Sequence, residues 1–356
     1  MRIIITGGAG FIGCNAAQRF RERGDEVVVV DDLSRRGTAS NLEWLEKEYG
    51  VEFARCDIRN YPELLAIFRR NERAEAVVHL AGQVAVTTSV TNPRNDFEIN
   101  ALGTFNVLEA IRESGSKPMV VFASTNKVYG GMETVATEKG PGYWPEEREG
   151  RYRYRDLPMG IPEDQLLDFH SPYGCSKGAA DQYVRDYARI YDFPTAVLRQ
   201  SCIYGPRQFG IEDQGWVAWF AICAVMGRQI NLYGDGLQVR DMLHVSDLMD
   251  AYEAVIEKRS QCTQGKIYNV GGGPGFTFSI LGLVHKLESI LGREIPRKSF
   301  DWRPGDQPVY ISDIRKAEAE LGWRPRIDPE SGTRQLVDWI QKHRDLIGAQ
   351  LGDLLA

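Results

Sequence analysis

The sequence predicts an α/β fold, a doubly wound parallel sheet with a smaller mixed α/β region toward the C-terminus. Three observations carry this. The first two hundred residues alternate apolar β-type runs with amphipathic helical stretches; the runs are almost continuous in Val and Ile; and a glycine-rich turn joins the first run to the first helical stretch. Strands of that composition must be covered on both faces, and right-handed crossovers place helices there.

The expected strands are Arg2–Thr6, Glu26–Asp31, Val51–Arg55, Ala76–Leu80, Pro118–Ala123 and Thr195–Gln200. Between the fourth and fifth, Ala101, Phe105, Leu108 and Ile111 are spaced to form one helical stripe. The stretch Thr134–Leu167, rich in Pro, Gly, Tyr, Arg and Glu, breaks the rhythm and reads as an irregular surface excursion near the site. Beyond residue 200 the pattern is mixed, with short strands at Ile230–Tyr233 and Ile267–Val270 and helices at Ser246–Lys258 and Ile280–Leu291. There is no clean linker, internal repeat or low-complexity tract, so the second region is expected to interleave with the first.

Over 356 residues the chain carries 43 Lys and Arg against 49 Asp and Glu, a net charge of -6. That balance argues against a nucleic-acid partner, so any phosphate must be held by local devices. No apolar run approaches a membrane span, and Met1 leads directly into the first strand without a signal-peptide layout, which predicts a cytoplasmic protein. The six cysteines, Cys14, Cys56, Cys175, Cys202, Cys223 and Cys262, form no CxxC pair; neither a metal site nor a disulfide framework is expected, only buried reduced thiols.

Gly7-Gly8-Ala9-Gly10-Phe11-Ile12-Gly13 reads G-x-x-G-x-x-G between a strand and a helix. Glycines there let backbone approach a pyrophosphate, and the helix N-terminus offers unpaired N–H groups and partial positive charge. Gly7, Gly10, Phe11, Ile12 and Gly13 are therefore candidate dinucleotide ligands of a Rossmann domain. Asp31 and Asp32 end the second strand, where a carboxylate accepts the ribose hydroxyls and repels a 2′-phosphate. This favours NAD over NADP, although Arg35 and Arg36 follow closely and arginine can hold that phosphate. Ser34 and Arg35 are cofactor candidates in the same turn. Asp57 and Ile58 would flank the adenine, and Leu80, Ala81 and Gly82 would let the cofactor pass.

Tyr173 and Lys177 lie four apart at the start of a helical pattern, hence on one face. A neighbouring ammonium favours the phenolate, and lysine can also hold a ribose. Ser124 and Thr125 end the fifth strand, where a hydroxyl can bond a substrate oxygen. These residues, with Arg240-Asp241 and Arg303-Pro304-Gly305-Asp306, resemble the extended short-chain dehydrogenases acting on nucleotide sugars. More narrowly, Ala81–Ala85, Ser124–Gly130, Asp168–Tyr183 and Asp213–Trp216 are similar to the CDP-tyvelose 2-epimerase (CDP-paratose 2-epimerase) family, over nearly the whole chain.

The resemblance implies a tightly held NAD, with Thr125, Tyr173 and Lys177 in the catalytic positions and Ser124 beside them. It further implies inversion at sugar C2 and a nucleotide-diphosphate sugar contacted by Gln83, Asn126, Gln214, Arg240 and Arg303. The two arginines, each expected in a loop-like setting, would grip the diphosphate. Related enzymes often carry Asn where this chain has Cys202, so that diphosphate contact is not carried over. Sugar dehydratases of the superfamily carry Asp-Glu where this chain has Asn126-Lys127, which argues against dehydration. An epimerase, dehydrogenase or decarboxylase acting at another sugar carbon, and a non-catalytic NAD-binding protein, are the other readings. Residues 1–200, with later interleaved segments, are assigned to NAD and 201–356 mainly to the nucleotide sugar; a homodimer or homotetramer is expected.

Overall fold

The computed structural model describes residues 1–262, 264–303 and 306–355. Pro304 and Gly305 of the Arg303–Asp306 motif therefore lie outside the described residues. At its centre, Ile3, Ile4 and Ile5 are wholly buried in β1 (Arg2–Thr6), with alternate side chains entering cores on opposite sides of one sheet.

That sheet is seven-stranded and parallel throughout. In chain order it takes β1, β2 (Glu26–Asp31), β3 (Glu52–Arg55), β4 (Ala76–His79) and β5 (Met119–Thr125). A hairpin of β6 (Thr137–Gly140) and β7 (Arg151–Tyr154) follows, and then β8 (Thr195–Gln200) of the main sheet. Four short strands, β9 (Ile203–Tyr204), β10 (Ile230–Tyr233), β11 (Val239–Asp241) and β12 (Leu243–His244), precede the return of β13 (Lys266–Val270) to the sheet beside β8. The spatial order is β13-β8-β5-β4-β1-β2-β3. Beyond it, β14 (Thr277–Ser279) and β16 (Val309–Tyr310) flank β11, and β15 (Arg297–Phe300) pairs with β10.

One face is covered by α1 (Phe11–Glu22), α2 (Thr38–Tyr49), α9 (Val245–Glu257) and α11 (Arg315–Leu321), through residues such as Phe20, Leu45, Leu248 and Leu321. The other carries α3 (Tyr61–Arg70), α6 (Gly103–Ser114) and α7 (Pro172–Tyr191), through Phe68, Leu108 and Val184. Two short helices, α4 (Val86–Thr91) and α5 (Pro93–Phe97), lead through a π-helical turn at Glu98–Leu102 into α6. The remaining helices build a separate core: α8 (Trp216–Met226) is apolar all round and buried among α10 (Ile280–Leu291), α12 (Pro329–Lys342) and α13 (Arg344–Leu355).

The expected strands and helices are present, with ends moved by local chemistry. The fifth strand begins at Met119, since Pro118 has no N–H to give a ladder, and runs on to Thr125, which stands opposite Gln200. The helical stripe is kept, with Leu108 and Ile111 buried in α6 and Ala101 in the π turn. The segment Thr134–Leu167 is a correction: it contains the β6–β7 hairpin and is pinned by buried Glu147, Arg151, Tyr154 and Ile161. Glu147 pairs with Arg151 at 3.1 Å and accepts from the Ser279 N–H, and Tyr154 donates to the Val309 carbonyl at 2.9 Å. Long-range polar anchors of this kind leave no periodic trace in sequence. A second correction concerns the cysteines: Cys175 is exposed and Cys202 half-buried, while the other four are buried.

Candidate functional site

Strand order reverses between β1 and β4, and beyond the carboxyl ends of the strands lies a cavity of about 610 Å³. Every residue expected above to act in catalysis or cofactor binding lines it, as do Gln83, Asn126 and Gln214; Arg240 and Arg303 do not.

At one end the chain turns sharply out of β1. Gly7 adopts a left-handed φ of 69°, donates its N–H to the Val30 carbonyl at 2.7 Å, and brings its Cα so near β4 that a Cβ would sit 2.6 Å from the Ala81 nitrogen. A Cβ at Gly13 would run into the Gly7 carbonyl, so the first turn of α1 closes directly over the loop. That helix starts at Gly10 with no side-chain cap and no acidic residue in its first turn, leaving its N–H groups for whatever enters the cavity.

Asp31, buried at the end of β2, braces the loop: its carboxylate accepts from the Ala9 N–H at 3.0 Å and the Leu33 N–H at 2.8 Å. Burial raises its pKa above the ordinary carboxylate value against those bonds. Asp32 accepts the Ser34 N–H and hydroxyl on one oxygen. Asp57 is clasped by Arg59 at 2.6 Å, which holds its pKa down. Arg35 extends across the cavity and donates to Gln214 Oε1 at 2.6 Å.

Tyr173 and Lys177 occupy successive turns at the start of α7. Ser171 caps that helix by accepting from the Gly174 N–H at 3.0 Å, and Pro172 pre-sets its first turn. Gly174 is needed for close approach, because a Cβ there would meet the Lys127 carbonyl at 3.1 Å. Burial pushes the Tyr173 phenol up to about 12, with Thr125 and Arg35 pulling the other way. Burial takes the Lys177 ammonium down to about 7. Lys177 donates to the Ala123 carbonyl at 2.6 Å and lies 4.2 Å from the centroid of the Phe122 ring. The expectation that the ammonium lowers the phenol directly is thus not met here; the burial that disfavours one charge disfavours both.

Further corrections concern side-chain partners. The Ser124 hydroxyl donates to buried Asp181 at 2.8 Å, and Asp181 in turn holds Arg199 at 3.0 Å, so Ser124 braces the strand end. Thr125 caps the turn Asn126–Tyr129, accepting from the Lys127 N–H at 3.2 Å and donating to Asn126 Oδ1 at 3.3 Å. The Gln83 amide is committed to Asp96 and to both backbone groups of Ala85. Arg240 lies on strand β11, not in a loop, buried with its guanidinium paired to Asp306 at 2.6 Å. Arg303 lies over the Tyr233 ring at 3.8 Å and 3.3 Å from Asp213.

Several cavity-side residues escaped the sequence reading. Asn100 accepts from the Gln83 N–H at 2.9 Å and donates to Asp96 and Ser176, tying the loop after β4 to α7. Asp96 and Asn100, four apart, carried a helical-face signal for this. Arg207, with a left-handed φ of 67°, lies 3.4 Å from the Trp44 ring centroid and lines the cavity; nothing local in sequence marks it. Among the described residues no cluster of His, Cys, Asp and Glu could hold a metal, and no helix is long and apolar enough to cross a membrane.

Residues 3–271 match the NAD dependent epimerase/dehydratase family. A CDP-paratose 2-epimerase of Salmonella typhi is 41% identical over 344 residues, covering 95% of this chain and 99% of that protein. The UDP-glucose 4-epimerase of Thermotoga maritima, solved with UDP-glucose, superposes with a TM-score of 0.80 at 30% identity, covering 97% of this chain and 100% of that one. That of Thermus thermophilus, solved with NAD, gives 0.78 at 32%, covering 96% and 99%. With this match over most of its length and a glycine loop, switch-point cavity and Tyr/Lys helix to accompany it, the chain is an enzyme of the NAD dependent epimerase/dehydratase family.

Proposed function

We propose that the protein epimerises a nucleotide-activated sugar at C2, using NAD, through transient oxidation to a keto sugar. The observation that carries this is the placing of Thr125, Tyr173 and Lys177 on one wall of the cavity whose far end is the uncapped glycine loop. The 41% identity to a CDP-paratose 2-epimerase supports C2 and a CDP-linked sugar.

The cavity fits the cofactor. The open N-terminus of α1 takes the pyrophosphate, Asp31 keeps a lone pair on each oxygen for ribose hydroxyls, and Ile58 and Ala81 offer apolar wall to the adenine. NAD, when bound, accepts a hydride from a carbinol carbon and returns it. Tyr173 removes the C2 hydroxyl proton and gives it back, Thr125 orients that oxygen and favours the phenolate, and Lys177 holds the nicotinamide ribose. The keto sugar must turn over between the two hydride steps, which requires its diphosphate to stay anchored. Asn126 and Gln214 contact the nucleotide sugar from the wall, and Arg303, beside cavity residue Asp213, reaches the diphosphate from the rim. Arg240, near cavity residue Lys127, reaches the diphosphate by exchanging its partner Asp306, as Arg303 does by exchanging Asp213. Removal of a hydroxyl would need a carboxylic acid at 126 or 127, where Asn and Lys stand. Residues 1–200, completed by β13, serve the cofactor, and 201–356 mainly the sugar nucleotide.

Incubation with a panel of nucleotide sugars and no added cofactor tests this. C2 epimers should form, a C2 deuterium should survive, and turnover in D2O should add none. Solvent deuterium at C2 would overturn direct oxidation, and epimers at another carbon would overturn the regiochemistry.

A further inference from the structure

Two hydrogen-bond donors lining the cavity lack a strong acceptor among the described residues. Lys127 follows Thr125 by two residues in the turn capped by the Thr125 hydroxyl, lines the cavity, and has no hydrogen bond or ion pair from its ammonium to any described residue. Trp216, the first residue of α8, lines the same cavity with its indole N–H buried and unpartnered among the described residues. Both flank the Cys202 thiol, a weak acceptor held at a left-handed φ of 44° between β8 and β9. Asp306 lies near both Arg240 and Lys127, but its carboxylate is paired with Arg240 at 2.6 Å and makes no ion pair with the Lys127 ammonium. Burial and the Arg240 charge lower the Lys127 pKa.

An ammonium with no acceptor among the described residues and an indole N–H whose nearest acceptor is a thiol call for ligand oxygens, since a donor left poorly paired is costly. Those oxygens could belong to the sugar or to the diphosphate. The position favours the sugar, because the turn that carries Lys127 is fixed by Thr125 and packs against Gly174, the neighbour of Tyr173. We propose that Lys127 and Trp216 form a donor subsite that grips oxygens of the sugar ring beside the reacting carbon, with Lys127 the main determinant of sugar recognition. This rests on the epimerase reading for the identity of the substrate class.

The test is equilibrium binding of CDP-glucose and of CDP to the NAD-loaded enzyme, for wild type, Lys127→Met, Lys127→Arg and Trp216→Phe. Lys127→Met should weaken CDP-glucose about 10- to 100-fold, the worth of a charged hydrogen bond, and CDP by less than about twofold. Lys127→Arg should recover part of the loss, and Trp216→Phe, which removes the N–H and leaves a smaller aromatic ring, should show the same preference at about threefold. NAD content and melting temperature should match wild type; if Lys127→Met does not fold, Lys127→Gln takes its place. Equal losses for CDP and CDP-glucose would make Lys127 a phosphate ligand and overturn the proposal, as would no loss for either. Absence of any epimerisation by wild type would defeat the C2 reading alone, because the binding comparison needs no turnover.

Discussion

At the glycine-loop end of the cavity, the wall is drawn from short segments, within residues 7–13, 31–35, 57–58 and 80–83, each at the carboxyl end of one sheet strand. Elsewhere, in the part assigned above to the sugar, it is made of Lys127, Cys202, Gln208 and Trp216, drawn one at a time from separate segments. In the first case the backbone does the work, so residue type at fixed spacing reveals it. In the second, side chains of unremarkable type acquire a function from what packs behind them. Substitutions should therefore strike the two ends differently.

Gly13→Val should have the largest effect. Its Cβ meets the Gly7 carbonyl and Gly8 backbone, neither of which can yield, and overpacking of this kind costs about 1–3 kcal/mol before any cofactor contact is lost. The protein should purify without NAD, measured in the denatured supernatant; normal NAD content would show that the loop is not the pyrophosphate site. Next comes Tyr173→Phe, which removes one phenolic oxygen. Turnover should fall by about three orders of magnitude while NAD content and melting temperature hold. Activity near wild type would make Tyr173 a packing residue.

Acid should weaken the brace beneath the glycine loop. His79 is buried between the Thr6 hydroxyl at 2.6 Å and the Thr104 hydroxyl at 2.9 Å, and burial takes its pKa down to about 3. The unfolded chain, with an ordinary histidine, binds the extra proton between about 6.5 and 3, so stability falls as pH falls through that window, by about 1.4 kcal/mol per unit. Denaturant midpoints against pH should show this slope, and His79→Gln should flatten it; an unchanged slope would assign the acid sensitivity elsewhere.

The sugar end should respond less, and mainly through packing or affinity. Arg240→Met leaves half-buried Asp306 without its partner and should cost about 1 kcal/mol of stability. Arg303→Ala should leave stability unchanged and raise KM about tenfold; a loss confined to kcat would move Arg303 toward the reacting carbon. Cys202→Gly should have the smallest effect. Relief of the left-handed residue, about 1–2 kcal/mol, is mostly offset by the added freedom of glycine in the unfolded chain. A net gain of under about 1 kcal/mol is expected by thermal melting.

Sequence alone determined the parallel sheet, the strand–glycine–helix turn, the carboxylates closing β2 and the Tyr173/Lys177 pair. Each of these is local: strand burial shows as Val/Ile runs, close backbone approach shows as glycine, and two residues four apart on a helix must share a face. Tertiary structure decided what each polar group is left free to do. It gave Ser124 to Asp181, Gln83 to Asp96 and Arg240 to Asp306, partners 57, 13 and 66 residues away, and left the Lys127 ammonium without one among the described residues. Hydrogen-bond capacity is exhausted by whichever acceptor folds into reach, and no spacing rule along the chain records an acceptor that distant.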